Sequence, residues 1–395
     1  MSRTTKVAVI GAGIGGLTTG LALRQRGFDV DIYEQVSTLT EVGAGIQMTP
    51  NAVNVLRALG LEEEIEASSF LPEAIIGIDA LSDRITFRTP LRDVCPKLYG
   101  SNYYQLHRAD LQRILRQALP GDIVHLSKRC ISVSNAGDKA IAKFHDGSEI
   151  EADVVVAADG IRSSIRKALF DESEPRYTGN VLYRMLIPID PPDHDLVYPS
   201  SSMWLGPGGH VVTYYVQSGN VVNVACCHET EEWEEESWTL RSSREELLSA
   251  YKDWAPRLLR LLERADNIYK FGLFDRDPMS SWTVGRVCLL GDAAHPMLPF
   301  LSQGAAMALE DAYVFVRALD ENRSDVPAAL SAYEAARVPR TTRVLIGSRK
   351  RGKTNHLTSK FARVRRDLAQ FFRARWNPHT AGLQAHWIYE HDVTK

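Results

Sequence analysis

The sequence predicts an α/β fold: a parallel-sheet domain that is discontinuous in sequence, an inserted antiparallel-sheet domain, and a helical C-terminus. Three observations predict it. "KVAVI-GAGIGG-LTTGLALRQRG-FDVDIYE" (residues 6–34) reads as strand, glycine turn, helix and strand in immediate succession. "ADVVVAADG" (152–160) and "VCLLGD" (287–292) are almost wholly apolar runs ending in Gly and Asp, as strands buried on both faces do. Between them, "HVVTYYVQSGNVVNVACC" (210–227) reads as two longer strands around a turn.

At 395 residues the chain is long for a single core and suits two domains. The formal net charge of −3 argues against a nucleic-acid binder. Five cysteines, an odd number with no CxxC pair, argue for reduced thiols over a disulfide framework. No run of about 18 apolar residues is present, so no membrane span is expected, and the N-terminal apolar stretch carries glycines at turn spacing. The expected location is cytoplasmic, as a monomer or homodimer. No HExxH, HxxxH or Cys/His cluster calls for a metal.

The first unit is a Rossmann-like dinucleotide-binding turn. Gly11 permits the tight turn, Gly13 lets a pyrophosphate approach the backbone, and Gly16 allows the helix to pack on the strand. Phosphates belong at the helix N-terminus, and Glu34 stands where an adenosine ribose finds its acceptor. This pattern alone does not separate FAD from NAD. Helical spacing follows at 107–119, with Arg108 near its start, and a small sheet turning at Asp146-Gly147. Composition shifts near Tyr177. The expected domains are 1–178 with 271–345 for the nucleotide, 179–270 for an inserted sheet, and 346–395 for a C-terminal helix and tail. The acidic stretch around Trp233 and Trp238 reads as exposed, with the two indoles as anchors.

GAGIGG with Glu34, "ADGIRSSIR" and "GRVCLLGDAAHPMLPFLSQGAAMALEDA" stand in this order along the chain. Together they resemble the single-component FAD-dependent aromatic hydroxylases, in the branch of salicylate hydroxylase, 6-hydroxynicotinate 3-monooxygenase and 3-hydroxybenzoate 6-hydroxylase. The resemblance implies the aromatic hydroxylase fold, with FAD as cofactor and NADH or NADPH and O2 as co-substrates. It further implies a flavin C4a-hydroperoxide that hydroxylates a small aromatic acid. Gly11, Gly13, Gly16 and Glu34 would hold the ADP half, and Arg108 would touch the cofactor. Asp159 and Gly160 match a fingerprint for FAD and NAD(P)H. Asp292 matches the ribityl contact, and the Pro299–Gly304 segment would run beside the flavin ring. Gln47 stands where 6-hydroxynicotinate enzymes have a histidine and joins the flavin-side set.

His210 and Tyr214 match the pair that faces substrate in those relatives, and a spacing of four in a strand puts them on one face. They are the expected catalytic residues. Phe300 stands where the salicylate and 6-hydroxynicotinate enzymes place a histidine. A salicylate-like acid leads the substrate expectation, with 6-hydroxynicotinate or 3-hydroxybenzoate as alternatives. A flavin reductase or dehydrogenase and a non-enzymatic nucleotide-binding protein are the readings from other classes. His295 reads as a brace for its loop. The basic stretch 349–376 reads as a helix with Leu357, Phe361, Val364, Leu368 and Phe371 packed inward. Trp387 and Tyr389 read as anchors of the tail.

Overall fold

Val7, Val9, Val154–Ala157 and Val287–Leu289 are fully buried, and they form the centre of one sheet. In this computed structural model, residues 4–39, 44–171, 173–189, 191–230, 240–376 and 385–395 are described. The sheet order is Thr283–Val284, Val287–Leu289, Val154–Ala157, Lys6–Ile10, Asp29–Tyr33, Val124–His125. All neighbours are parallel except the first pair. Three segments far apart in sequence thus meet edge to edge, and their carboxyl ends carry the GAGIGG, Asp159-Gly160 and Gly291-Asp292 motifs together. That is where open α/β sheets bind ligands.

The helix Ile14–Gln25 packs beside a second, Gly304–Glu321, across small residues. A Cβ on Gly15 would sit 3.3 Å from that of Ala308, so the two helices approach at glycine distance. A three-stranded sheet packs on the strands Lys6–Ile10 and Val154–Ala157, and Gly147 (φ 84°) makes its turn between Lys139–Phe144 and Glu149–Ala152.

The second large sheet has seven strands, ordered Tyr269–Asp275, Arg176–Pro188, Val221–Glu229, Gly209–Val216, Ser201–Gly206, Ala74–Asp79, Ile85–Pro90. Two of them, at 74–79 and 85–90, lie wholly outside the expected 179–270 insert, and the edge strand Tyr269–Asp275 runs past its end. Ala74–Asp79 pairs parallel with Ser201–Gly206. This pairing joins residues more than a hundred positions apart, which no local pattern encodes.

The helix Val326–Asn355 runs unbroken across the expected boundary at 345/346. The next helix, Lys360–Trp376, reverses the expected orientation. Phe361 is 77% exposed, Val364 48%, Leu368 52% and Phe371 52%, whereas Arg363, Arg366 and Gln370 are buried. The physical reason lies beneath it. Arg366 donates to the Thr354 carbonyl at 3.3 Å and Gln370 lines a cavity, so the end of the long helix and a hollow lie under the polar stripe. Trp233, Trp238 and residues 40–43 lie outside the described residues. Among the described residues, no helix is long and apolar enough to cross a membrane.

Candidate active site

Two adjoining features make the site. The first is a cradle at the carboxyl ends of the parallel strands. Gly11 has φ 107°, and a Cβ there would fall 2.4 Å from the Ala158 carbonyl oxygen. One on Gly16 would fall 1.9 Å from the Gly11 carbonyl oxygen. These two glycines are packed shut, whereas Gly13 faces open space and caps the helix. The Leu17 N–H is bonded to the Gly13 carbonyl, so the N–H groups before it stand outside the helical ladder and are available to an anion. Glu34 closes the rim, its Oε2 accepting from the Ala12 N–H at 2.7 Å.

Asp159 lies beneath, with its Oδ1 buried and unpartnered. Burial pushes its carboxyl up from the usual value. Beside it Gly160 (φ 81°) faces open space. Arg166 is buried and donates to the carbonyls of Ala293 and Ala294, both at 3.2 Å, which ties the second motif to the third. Asp292 is exposed, with its Oδ1 3.9 Å from where a Gly304 Cβ would be. Open glycines, an orphaned carboxylate oxygen and free helix N–H groups fit an elongated ligand with phosphates and polar hydroxyls, as FAD has. Arg108 starts its helix with its N–H on the Ala44 carbonyl at 2.8 Å.

The loop over the cradle is held from below. Asp311 Oδ2 accepts from the Gly291 N–H at 3.1 Å and meets His295 Nε2 at 2.5 Å. Its Oδ1 takes the Arg337 Nε–H at 2.7 Å, while Arg337 Nη1 and Arg340 Nε bond Glu310 at 2.7 and 2.6 Å. Asn51 donates to Glu310 at 2.7 Å. Burial alone would raise both carboxyls. His295 and Arg337 at Asp311, and the two guanidinium groups at Glu310, hold them below the ordinary range. His295 therefore braces the loop.

The second feature is a cavity of about 120 Å³ between the seven-stranded sheet and the last helices. Gln47, His210, Phe300, Arg351, Asn355 and Tyr389 line it, as do Pro299 and Ser302. The segment 299–304 thus has the cavity on one side and Asp292 on the other. A larger, more open hollow at 188–195 contains none of the motif residues. Gln47 sits in the cavity wall, its Nε2 donating to Ser201 Oγ at 3.0 Å and its Oε1 accepting from Tyr103 at 2.6 Å.

His210 is 5% exposed, and burial, with His356 and Arg351 nearby, drives its pKa well below the usual value. The neutral ring is favoured there, with one nitrogen as a hydrogen-bond acceptor and the other as a donor. Its Nδ1 lies 2.7 Å from His356 Nε2. The Cys227 sulfur falls within 4.8 Å of ring nitrogens of both. Tyr214 shares the His210 face but stands outside the cavity wall, against Gly45, where an added Cβ would be 2.7 Å from its Cε2. Tyr215 points the other way and donates to the Val197 carbonyl at 3.0 Å.

A family model described as "FAD binding domain" matches residues 4–348. The chain belongs to the FAD-dependent aromatic-ring monooxygenases. It is 37% identical over 390 residues to a 3-amino-4-hydroxybenzoate 2-monooxygenase of Streptomyces cremeus, covering 98% of this chain and 96% of that one. It is 33% identical to a 6-hydroxynicotinate 3-monooxygenase of Pseudomonas fluorescens, over 87% of this chain and 90% of the relative. A salicylate hydroxylase substrate complex superposes with a TM-score of 0.83 at 26% identity, covering 100% and 97% of the two chains. The monooxygenase is thus an enzyme with FAD as cofactor, and NAD(P)H is the typical reductant of its family.

Sequence reasoning missed Arg351, His356 and Asp311 as parts of this candidate site. Arg351 was hidden in "RKRGK", which reads as a solvated basic run. His210, Cys227 and His356 come from separated segments, so no spacing reveals the cluster. Tyr389, expected as an anchor, also closes the cavity.

Proposed function

We propose that the enzyme hydroxylates the ring of a monocyclic aromatic acid bearing a ring hydroxyl. One observation carries this reading. Arg351 lines the cavity, and among the described residues no carboxylate stands within ion-pairing distance of it. Arg351 is partly buried, and burial, with Arg373 and Arg366 nearby, pulls its pKa below the usual value, so among the described residues the cation meets like charges and no counter-charge. A carboxylate in the cavity supplies that charge, and an Arg–carboxylate pair is strong and directional. His210 lies in the same wall as a neutral base for the ring hydroxyl, whose ionisation makes the ring electron-rich.

Bound FAD, reduced by NAD(P)H, supplies the oxygen-activating chemistry. The protein orients the ring between the Arg351 and His210 walls, excludes water with Phe300 and Tyr389, and takes up the hydroxyl proton at His210 Nε2. Tyr214 and the cradle residues Gly11, Gly13, Gly16, Glu34, Arg108, Asp159, Gly160, Asp292 and Gly304 belong to the cofactor side of this scheme. Gln47 and Pro299 belong to the boundary.

Among acids, 3-amino-4-hydroxybenzoate moves ahead of salicylate, since the 37%-identical relative is named for it. Phe300 in place of a histidine weighs against the salicylate and 6-hydroxynicotinate alternatives. The deciding experiment measures NAD(P)H oxidation stimulated by these acids and by 3-hydroxybenzoate, with products identified by mass spectrometry. Stoichiometric hydroxylated product from one of them is expected. Hydrogen peroxide alone from all four overturns the reading and favours a reductase.

A further inference from the structure

Behind His210 the cavity wall leads to the surface. Beyond the 2.7 Å contact between His210 Nδ1 and His356 Nε2, His356 Nδ1 lies 3.6 Å from Glu229 Oε1. The side chains run from closed to open: His210 and His356 are 5% and 4% exposed as residues, and the Glu229 side chain is 54% exposed. The three groups come from three elements. His210 is on Gly209–Val216, His356 caps the long helix ending at Asn355, and Glu229 ends Val221–Glu229.

Two neutral imidazoles joined by one hydrogen bond each keep one N–H and one acceptor nitrogen. Such a pair moves a proton along itself by switching both tautomers, without holding a charge. The surroundings favour that over storage. Arg351 faces the pair from the long helix, and Cys227 and His228 from the neighbouring strand. Phe300 covers both rings edge-on, with centroids 5.3 and 5.6 Å away. Burial first, and then the Arg351 guanidinium beside His210, penalise an imidazolium. At the far end, partial burial raises the Glu229 carboxyl above its usual value, which makes it a better proton acceptor.

We infer that His356 is a positioning residue that relays the substrate's hydroxyl proton from His210 to Glu229 and bulk water. The inference rests on the ring-hydroxyl substrate proposed above. The substrate O–H bond breaks, its electron pair stays on the oxygen, and the proton joins His210 Nε2. The Nδ1 proton of His210 passes to His356 Nε2, and the Nδ1 proton of His356 passes to the Glu229 carboxylate and then to water. Nothing is oxidised or reduced, and one proton enters and one leaves each ring.

The test mixes oxidised holoenzyme with 3-amino-4-hydroxybenzoate and follows the ultraviolet absorbance of the ring oxyanion. His356→Gln keeps a hydrogen-bonding side chain beside His210 but removes the relay. It is expected to slow oxyanion formation about tenfold or more, with unchanged Kd and flavin content, and added imidazole should restore part of the rate. Glu229→Gln, on the exposed end, should slow the same step several-fold without altering Kd. Ionisation at the wild-type rate in His356→Gln overturns the relay, as does a parallel loss of Kd and rate that imidazole does not rescue. An unaffected Glu229→Gln overturns the path as drawn. A wild type that neither binds nor ionises the probe sinks the ring-acid reading and the relay with it; normal wild-type behaviour with an unaltered His356→Gln sinks the relay alone.

Discussion

A Cβ placed on Gly352 would lie 2.5 Å from Cε2 of Phe300, so the long helix and the loop over the cavity touch through a missing side chain. Gly352→Ala improves helix propensity by about 1 kcal/mol and forces Phe300 to turn. The ring is a movable side chain, so the shift goes into the cavity. Thermal stability should change little, while KM for the aromatic acid rises several-fold. Wild-type KM in this variant would mean that Phe300 has room to spare.

Arg351→Gln removes the cation from the cavity wall. Hydrogen bonds to charged groups contribute about 1.5–3 kcal/mol, so affinity for 3-amino-4-hydroxybenzoate should fall roughly 10–100-fold, while affinity for its carboxamide stays the same. Titration of the flavin absorbance reads both. Equal effects on acid and amide would remove Arg351 from carboxylate recognition.

Arg337→Met leaves Glu310 and Asp311 buried with fewer counter-charges. Breaking one side of a buried ion network costs about 3–5 kcal/mol, and the midpoint of urea unfolding should fall accordingly. Flavin content should fall too, because Asp311 also holds Gly291 and His295. A stable variant with full flavin would show that the two carboxyls do not depend on Arg337.

Acid should destabilise the fold before the ordinary carboxylates titrate. Burial lowers the pKa of His356 from 6.5 to about 4. Below pH 6.5 the unfolded chain takes up a proton that the folded chain refuses, so stability falls between about pH 6.5 and 4 and levels off below. For this one group the loss is about 3 kcal/mol, and His210 adds to it in the same direction. His356→Gln should flatten the fall in denaturation midpoint between pH 7 and pH 5. An unchanged slope would place the acid sensitivity elsewhere.

Asp292→Ala should weaken FAD retention, seen as a lower flavin-to-protein ratio after gel filtration. Circular dichroism should remain that of the wild type, since Asp292 is exposed. Full retention would take Asp292 out of cofactor binding.

Much of this molecule was legible where backbone geometry restricts residue type. Gly11 and Gly16 are needed because a side chain there would strike a carbonyl oxygen, so the cradle is written in local sequence. The apolar runs at 154–157 and 287–289 are equally direct, since strands buried on both faces need no polar alternation. The inverted helix was not legible. Its sequence has two stripes, Phe361/Val364/Leu368 and Arg363/Arg366/Gln370, and periodicity gives their existence without saying which one faces in. Tertiary partners decided that, as they decided the pairing of Ala74–Asp79. Arg351 and His356 were hidden for the same reason: each is defined by what faces it from another segment.

The cavity wall draws on Gln47, His210, Phe300, Arg351 and Tyr389, and the last of these emerges from the ribosome after all the others. Domains commonly fold while the chain is still being made, and the cradle strands and the seven-stranded sheet are complete by residue 289. A nascent chain at that stage still lacks Asp292, the helix Gly304–Glu321 and the Asp311–Arg337 brace, so the cradle is finished only as the last third of the chain is added. Oxygen chemistry on a reduced, unsheltered flavin would waste reductant as peroxide. Because Ala385 and Tyr389 complete the chamber wall, shelter for the flavin depends on the last residues to leave the ribosome.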